Sequence, residues 1–260
     1  MRGQRVSENG LPRKFAIVSL PRSGSTSLAR ALNCFPTGRC LMEPFHPGRY
    51  RGLPHDIALH KQSVRIPLLS IWRSYNGIKH VWEATGWPFV EQPSLNEELL
   101  LQPDLHVILL LRRNYLQRYI SNYLCRHTSY WIGERDEFAM RVRRCQLSPL
   151  HPDHILRQIE KDRNAVARQC ALLRDQRVRT MTVYYEQLFS NDDTQGGWKS
   201  VFARILNFIE VPRSEAGMAL ARYHFDPSHK WASYHLYASL PGIRDIEDKV
   251  GSDANGWLFR

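Results

Sequence analysis

Apolar and polar positions divide this chain into short apolar runs of strand length and longer stretches with helical spacing. Residues 15–20 (FAIVSL) are apolar, rich in β-branched side chains and too few for a helix, which predicts a buried strand ended by Pro21. Leu28, Ala29, Ala31, Leu32 and Phe35 then recur at helical spacing, with Ser25 or Thr26 placed to cap the start. The prolines and glycines of residues 40–56 read as a long loop. Residues 61–75 carry a helical pattern interrupted near Pro67, Asn76-Gly77 marks a turn, and residues 78–82 read as a second strand. Ser94 caps a brief helix over 95–101. Residues 105–111 (LHVILLL) are the most hydrophobic run and apolar on both faces, as in a central strand of a parallel sheet covered by helices.

Residues 112–126 show a helical stripe of Leu116, Tyr119, Ile120, Tyr123 and Leu124, with Arg113, Gln117 and Ser121 together on another face. Residues 127–152 read as irregular, basic and aromatic. Residues 153–176 form a long amphipathic helix, 178–184 a strand, and 198–209 a helix with Trp198, Val201, Phe202, Ile205 and Phe208 inward. The last fifty residues are aromatic-rich with little clear periodicity. The alternation predicts an α/β chain: a P-loop-like three-layer sandwich in which helices flank a central parallel sheet. Residues 15–260 are expected to form one domain, behind a flexible basic arm of residues 1–14.

Ligands of such sheets bind beyond the carboxyl ends of the strands. Both unusual stretches, residues 21–26 (PRSGST) and 112–121, directly follow apolar strands and so belong at that edge. A strand, a hydroxyl-rich turn and a helix N-terminus make an anion cradle, because the first-turn N–H groups lack partners and the dipole favours negative charge. The usual triphosphate loop places Gly-Lys-Ser/Thr after a glycine and four residues, and the lysine is missing here. Glu43 and His46 form the titratable pair close in sequence to the cradle. Lys79 on the second strand is read as solvated in preference to pointing toward the same edge, and His151 and His154 as capping-turn residues.

Composition adds limits. No stretch approaches the roughly 20 apolar residues that cross a bilayer, and the N-terminus lacks the apolar segment of a secretory signal. The five cysteines show no paired-ligand spacing, which predicts reduced thiols and a cytoplasmic setting. A formal charge of +11 attracts polyanions in general. Two competing readings follow: a small-molecule kinase with a degenerate loop, requiring magnesium and a carboxylate to hold it, and a basic nucleic-acid-binding module, for which no recognisable motif is present.

The PRSGST loop, followed by an apolar strand running into Arg113-Asn114-Tyr115-Leu116-Gln117-Arg118-Tyr119-Ile120-Ser121, resembles the sulfotransferases that use 3′-phosphoadenosine-5′-phosphosulfate (PAPS). Tyr185, Glu186 and Leu188 after a later strand fit the same family, as does the helix ending Asn207-Phe208-Ile209-Glu210-Val211, with Glu210 where glycine is common. Arginine in the loop looks more like the carbohydrate-type and bacterial branch, and Tyr115 replaces a frequent proline. The motifs run in order from Phe15 to Val211, and the final fifty residues offer no match.

The resemblance implies that Arg22, Ser23, Gly24, Ser25, Thr26 and Ser27 wrap the 5′-phosphosulfate, and that Arg113 and Ser121 hold the 3′-phosphate. It implies a reaction without metal, with Arg22 stabilising the leaving phosphate and Glu43 as the base that deprotonates the acceptor. His46 is the runner-up base. The expected acceptor is a hydroxyl on a carbohydrate or glycoconjugate, not nucleic acid. Residues 130–144 with Tyr234, His235 and Tyr237 are candidates for its pocket.

Overall fold

Side chains that alternate along a strand have to satisfy two faces of a sheet. In the computed structural model, which describes residues 13–47, 63–131, 133–189, 197–229 and 234–259, the strands do this with apolar residues on both sides. β1 (Phe15–Ser19), β2 (Cys40–Met42), β3 (Gly77–Val81), β4 (His106–Leu111) and β5 (Thr180–Tyr184) form one sheet in the order β2-β3-β1-β4-β5. Every pairing is parallel. Phe15, Ile17, Ile108, Leu110 and Val183 point to one face, and Ala16, Val18, Ile78, Val107 and Leu109 to the other.

Helices cover both faces, as the continuous apolar runs require. The first face packs on α1 (Ser25–Leu32), and on α8 (Gly197–Phe208) and α9 (Glu215–Phe225). The second packs on α2 (Arg65–Ile71), on α3 (Ser94–Leu100), and on Leu173 near the end of α6 (Pro152–Asp175). A third core joins α4 (Tyr115–Thr128), α5 (Arg135–Arg144) and the first half of α6 to α10 (Tyr234–Ala238) and α11 (Ile243–Val250). The short α7 (Tyr185–Leu188) follows β5 directly. The expected three-layer, P-loop-like α/β arrangement is therefore the one formed. Among the described residues, no helix is long and apolar enough to cross a membrane.

Several local expectations change. Residues 40–42 pair with β3 and form an edge strand instead of opening a loop. Pro67 does not interrupt a helix: it lies in the first turn of α2, where a missing N–H costs no bond. Residues 135–144 are helical, and the rest of the stretch 215–250 holds α9, α10 and α11. The arm of residues 1–14 lies outside the described residues except for Arg13 and Lys14. Arg13 pairs with Glu210, and the Lys14 carbonyl accepts from the His106 N–H. Residues 48–56 of the anticipated loop also lie outside them.

Candidate functional site

The loop after β1 is shaped by two left-handed residues, Arg22 at φ 64° and Gly24 at φ 86°. A Cβ added to Gly24 would stand 2.8 Å from the rings of Phe189 and Tyr185, so only glycine lets α1 begin against that wall. Gly24 occupies the N-cap without any side-chain capping bond, so neither Ser25 nor Thr26 is the cap. The N–H groups of Ser25, Thr26 and Ser27 have no helical carbonyl behind them and stay available to an anion.

These residues face a cleft of about 780 Å³, within the usual size of a ligand site. Arg22, Gly24, Ser25, Thr26 and Ser27 line it from the loop and α1, Glu43 and His46 from the segment after β2, and Ser121 from α4. Ser23 is buried beneath the loop and does not line it. Arg113 does not either. It is exposed, with its guanidinium 4.2 Å over the Tyr184 ring, and the neighbouring Arg112 lines the cleft instead. Tyr237 and Trp131 belong to the lining, whereas Tyr130 is buried between Phe138 and Arg141. The side chains of Tyr234 and His235 lie outside the described residues.

Contacts across the cleft join the two motifs. Arg22 Nε donates to Ser121 Oγ at 3.0 Å, over 99 residues of sequence. Arg112 Nη1 donates to the Arg22 carbonyl at 3.0 Å, and its guanidinium lies 4.3 Å over Tyr185. Burial pushes the Tyr185 and Tyr237 hydroxyls above the ordinary tyrosine range, against the lowering effect of Arg112, so both stay protonated at neutral pH.

Lys79 is not solvated. Its register opposite Ile17 puts it on the α1 face of the sheet, where Nζ donates to Thr26 Oγ1 at 2.9 Å and forms an ion pair with Glu43. Both side chains are largely buried, 5% and 13% exposed. Glu43 itself is left-handed, at φ 48°, and its N–H donates to the Lys79 carbonyl at 2.9 Å. His46 packs edge-on to Trp87, and its Nδ1 lies 2.7 Å from the Pro47 carbonyl. That contact makes Nδ1 the protonated nitrogen of the neutral ring, leaving Nε2 with the lone pair.

No protein-family model matches this chain, and no curated protein matches it. Among solved structures, a sulfotransferase from Alicyclobacillus acidocaldarius aligns over 92% of this chain and 94% of its own, at 17% identity and a TM-score of 0.44. Mouse sulfotransferase SULT7A1, complexed with PAP, aligns over 95% of this chain and 74% of its own, at 15% identity and a TM-score of 0.40.

The cleft suits a polyanion with an aromatic group. Arg22, Arg30, Lys79, Arg112 and Arg126 outnumber Glu43, Glu83 and Asp226 along it. Arg112 Nε is buried and has no hydrogen-bond partner among the described residues, although its two other nitrogens are both engaged. An oxygen anion would satisfy it. The Tyr185–Phe189 stack, with centroids 4.3 Å apart, supplies an aromatic wall. Lys79 and Arg112 were missed in the sequence for different reasons. A lysine inside a strand buried on both faces demands a partner, which was a usable signal. Arg112 and Arg113 are adjacent, and only the end of β4 decides which one turns inward.

Proposed function

We propose that this chain transfers a sulfuryl group from PAPS to an acceptor hydroxyl. The observation that carries the reading is the Arg22 Nε–Ser121 Oγ bond, which closes the two sequence motifs around one cleft. The donor supplies an activated sulfur whose bond to the 5′-phosphate breaks as the acceptor oxygen attacks in line. The N–H groups of residues 24–27, the hydroxyls of Ser25 and Thr26, and Arg22 hold the 5′ end and take up the charge of the leaving phosphate. Ser121 and Arg112 face the second phosphate, and Arg113 joins them by swinging off Tyr184. Lys79, between Thr26 and Glu43, sets a positive charge where the transferring group passes.

Glu43 is the base that takes the acceptor's proton, and His46 Nε2 is the alternative. Trp87 and Trp131 with the Glu83–Arg126 pair line the outer cleft, and aromatic faces beside paired charges suit a sugar ring carrying several hydroxyls. We therefore assign a carbohydrate or glycoconjugate acceptor. No metal enters this scheme. Five free cysteines suit a reducing compartment such as the cytoplasm.

The test is thermal shift with 3′,5′-bisphosphoadenosine, set against ATP with magnesium and against 5′-AMP. The bisphosphate alone is expected to stabilise the protein. A response to ATP with magnesium alone supports a kinase, and an equal response to 5′-AMP removes the second phosphate site and the reading with it. Glu43→Gln is expected to keep bisphosphate affinity within about threefold while transfer falls about 10²-fold or more. Turnover within a few-fold of wild type would move the role to His46, whose His46→Ala variant then carries the loss.

A further inference from the structure

The donor loop is connected to the far end of the chain through one guanidinium. Arg112 Nη1 holds the Arg22 carbonyl, and Nη2 donates to Gln117 Oε1 at 2.9 Å. Gln117 Nε2 in turn donates to the Trp257 carbonyl at 2.9 Å, and Asn114 Nδ2 donates to the same oxygen at 2.6 Å. The amide of Gln117 is thereby engaged at both ends.

The loop that supplies this carbonyl, residues 251–259, is itself fixed to α4 and α6. The Leu116 N–H donates to the Asn255 carbonyl at 2.9 Å. Arg163 Nη2 reaches the Ala254 carbonyl and Asn255 Oδ1, at 2.8 and 2.7 Å. The Glu247 carboxylate accepts from the Leu258 N–H at 2.9 Å. Gly256 sits at φ 86°, and a Cβ there would come 2.3 Å from Asn114 Oδ1, so the loop fits α4 only with glycine at that place. At the other end, the carbonyl that Arg112 holds belongs to a non-glycine residue in the left-handed region, which persists only where its surroundings impose it.

We infer that residues 251–259 and Gln117 form a positioning device for the donor loop: the Trp257 carbonyl orients Gln117, Gln117 aims Arg112, and Arg112 fixes Arg22 in its left-handed conformation. Gln117 is then a positioning residue, and the chain's C-terminal loop is coupled to a cleft that it does not line. The effect on donor binding rests on the function proposed above. The coupling between the two loops does not.

Hydrogen exchange on the ligand-free protein tests the coupling directly. Gly256→Ala strikes the C-terminal loop and the Asn114 side chain it packs on, touching neither Arg112 nor Arg22, and it is expected to speed exchange both at residues 252–259 and at residues 22–28, whose Leu28 N–H bonds the Gly24 carbonyl. β1 should be unaffected. Faster exchange at 252–259 with residues 22–28 unchanged overturns the inference. Calorimetry with 3′,5′-bisphosphoadenosine then reads the consequence: Gln117→Leu weakens binding about tenfold, as expected for loss of an aligned charged hydrogen bond. Donor KM should rise in step while kcat falls less. Gln117→Glu, which keeps an acceptor for Arg112, should recover part of the affinity. Unchanged affinity and KM in Gln117→Leu also overturn the inference. If wild type fails to bind the bisphosphate, the sulfotransferase reading falls, and the exchange experiment still decides the relay.

Discussion

Lys79 shows how a single position can carry more chemistry than its surroundings announce. It stands in a strand whose neighbours pack into cores on both faces, and its ammonium is held by Thr26 and Glu43. Removing one partner of such a pair leaves a charge uncompensated, at about 3–5 kcal/mol. Lys79→Met is therefore expected to lower the urea midpoint markedly, and adding Glu43→Gln to it should restore most of the loss. The comparison of four midpoints isolates the pair. A single Lys79→Met variant as stable as wild type would mean that solvent screens the pair. Two other residues that line the cleft stand out in the sequence because their types are unneeded for folding: Arg22 among small hydroxyl residues, and Ser121 two turns into a helix. Glu43 was visible only as a carboxylate near the cradle. Its partner and its left-handed backbone come from the register of β2 on β3, which no local pattern encodes.

At the scale of elements, length and contrast decided what could be read. β1, β4 and α6 are long or strongly patterned and lie within about two residues of their expected bounds. β2 has three residues, too few for any period, and α5 buries only Phe138 and Val142 amid charged neighbours. α11 buries Ile243, Ile246, Glu247 and Val250, a proper stripe, but over eight residues only. β3 carries a pH-sensitive contact of its own. His80 is buried, with Nε2 2.8 Å from Asn96 Oδ1, and Asn96 Nδ2 donates to the Gly86 carbonyl. Burial lowers the His80 pKa to about 4, despite the hydrogen bond to Asn96. The folded protein thus binds fewer protons than the unfolded chain between pH about 6.5 and 4, so stability is present above that window and is lost on acidification through it. The loss should approach roughly 3 kcal/mol. Urea midpoints across this range check it, and His80→Gln should flatten the slope; an unchanged slope would assign the acid sensitivity elsewhere.

Across the whole molecule, the formal charge of +11 sets a long-range field around a cleft that is itself cationic on balance. The multiply charged donor proposed above should therefore bind several-fold more weakly at 300 than at 50 mM NaCl, since screening shortens from well over 10 Å to less than that. Its kcat should stay flat, because charges inside the cleft are screened little. A salt-independent KM for the donor would mean that the distributed charge serves some other partner. The left-handed turn at Glu43 has one more effect, on how copies of the chain meet. It ends β2 after three residues, and within β2 the Asn33 side chain already accepts from the Cys40 N–H at 2.6 Å and donates to the Cys40 carbonyl at 3.0 Å, so this edge offers little for a strand from another molecule to pair with. The backbone twist that seats a carboxylate beside Lys79 also guards that side of the sheet against edge-to-edge aggregation.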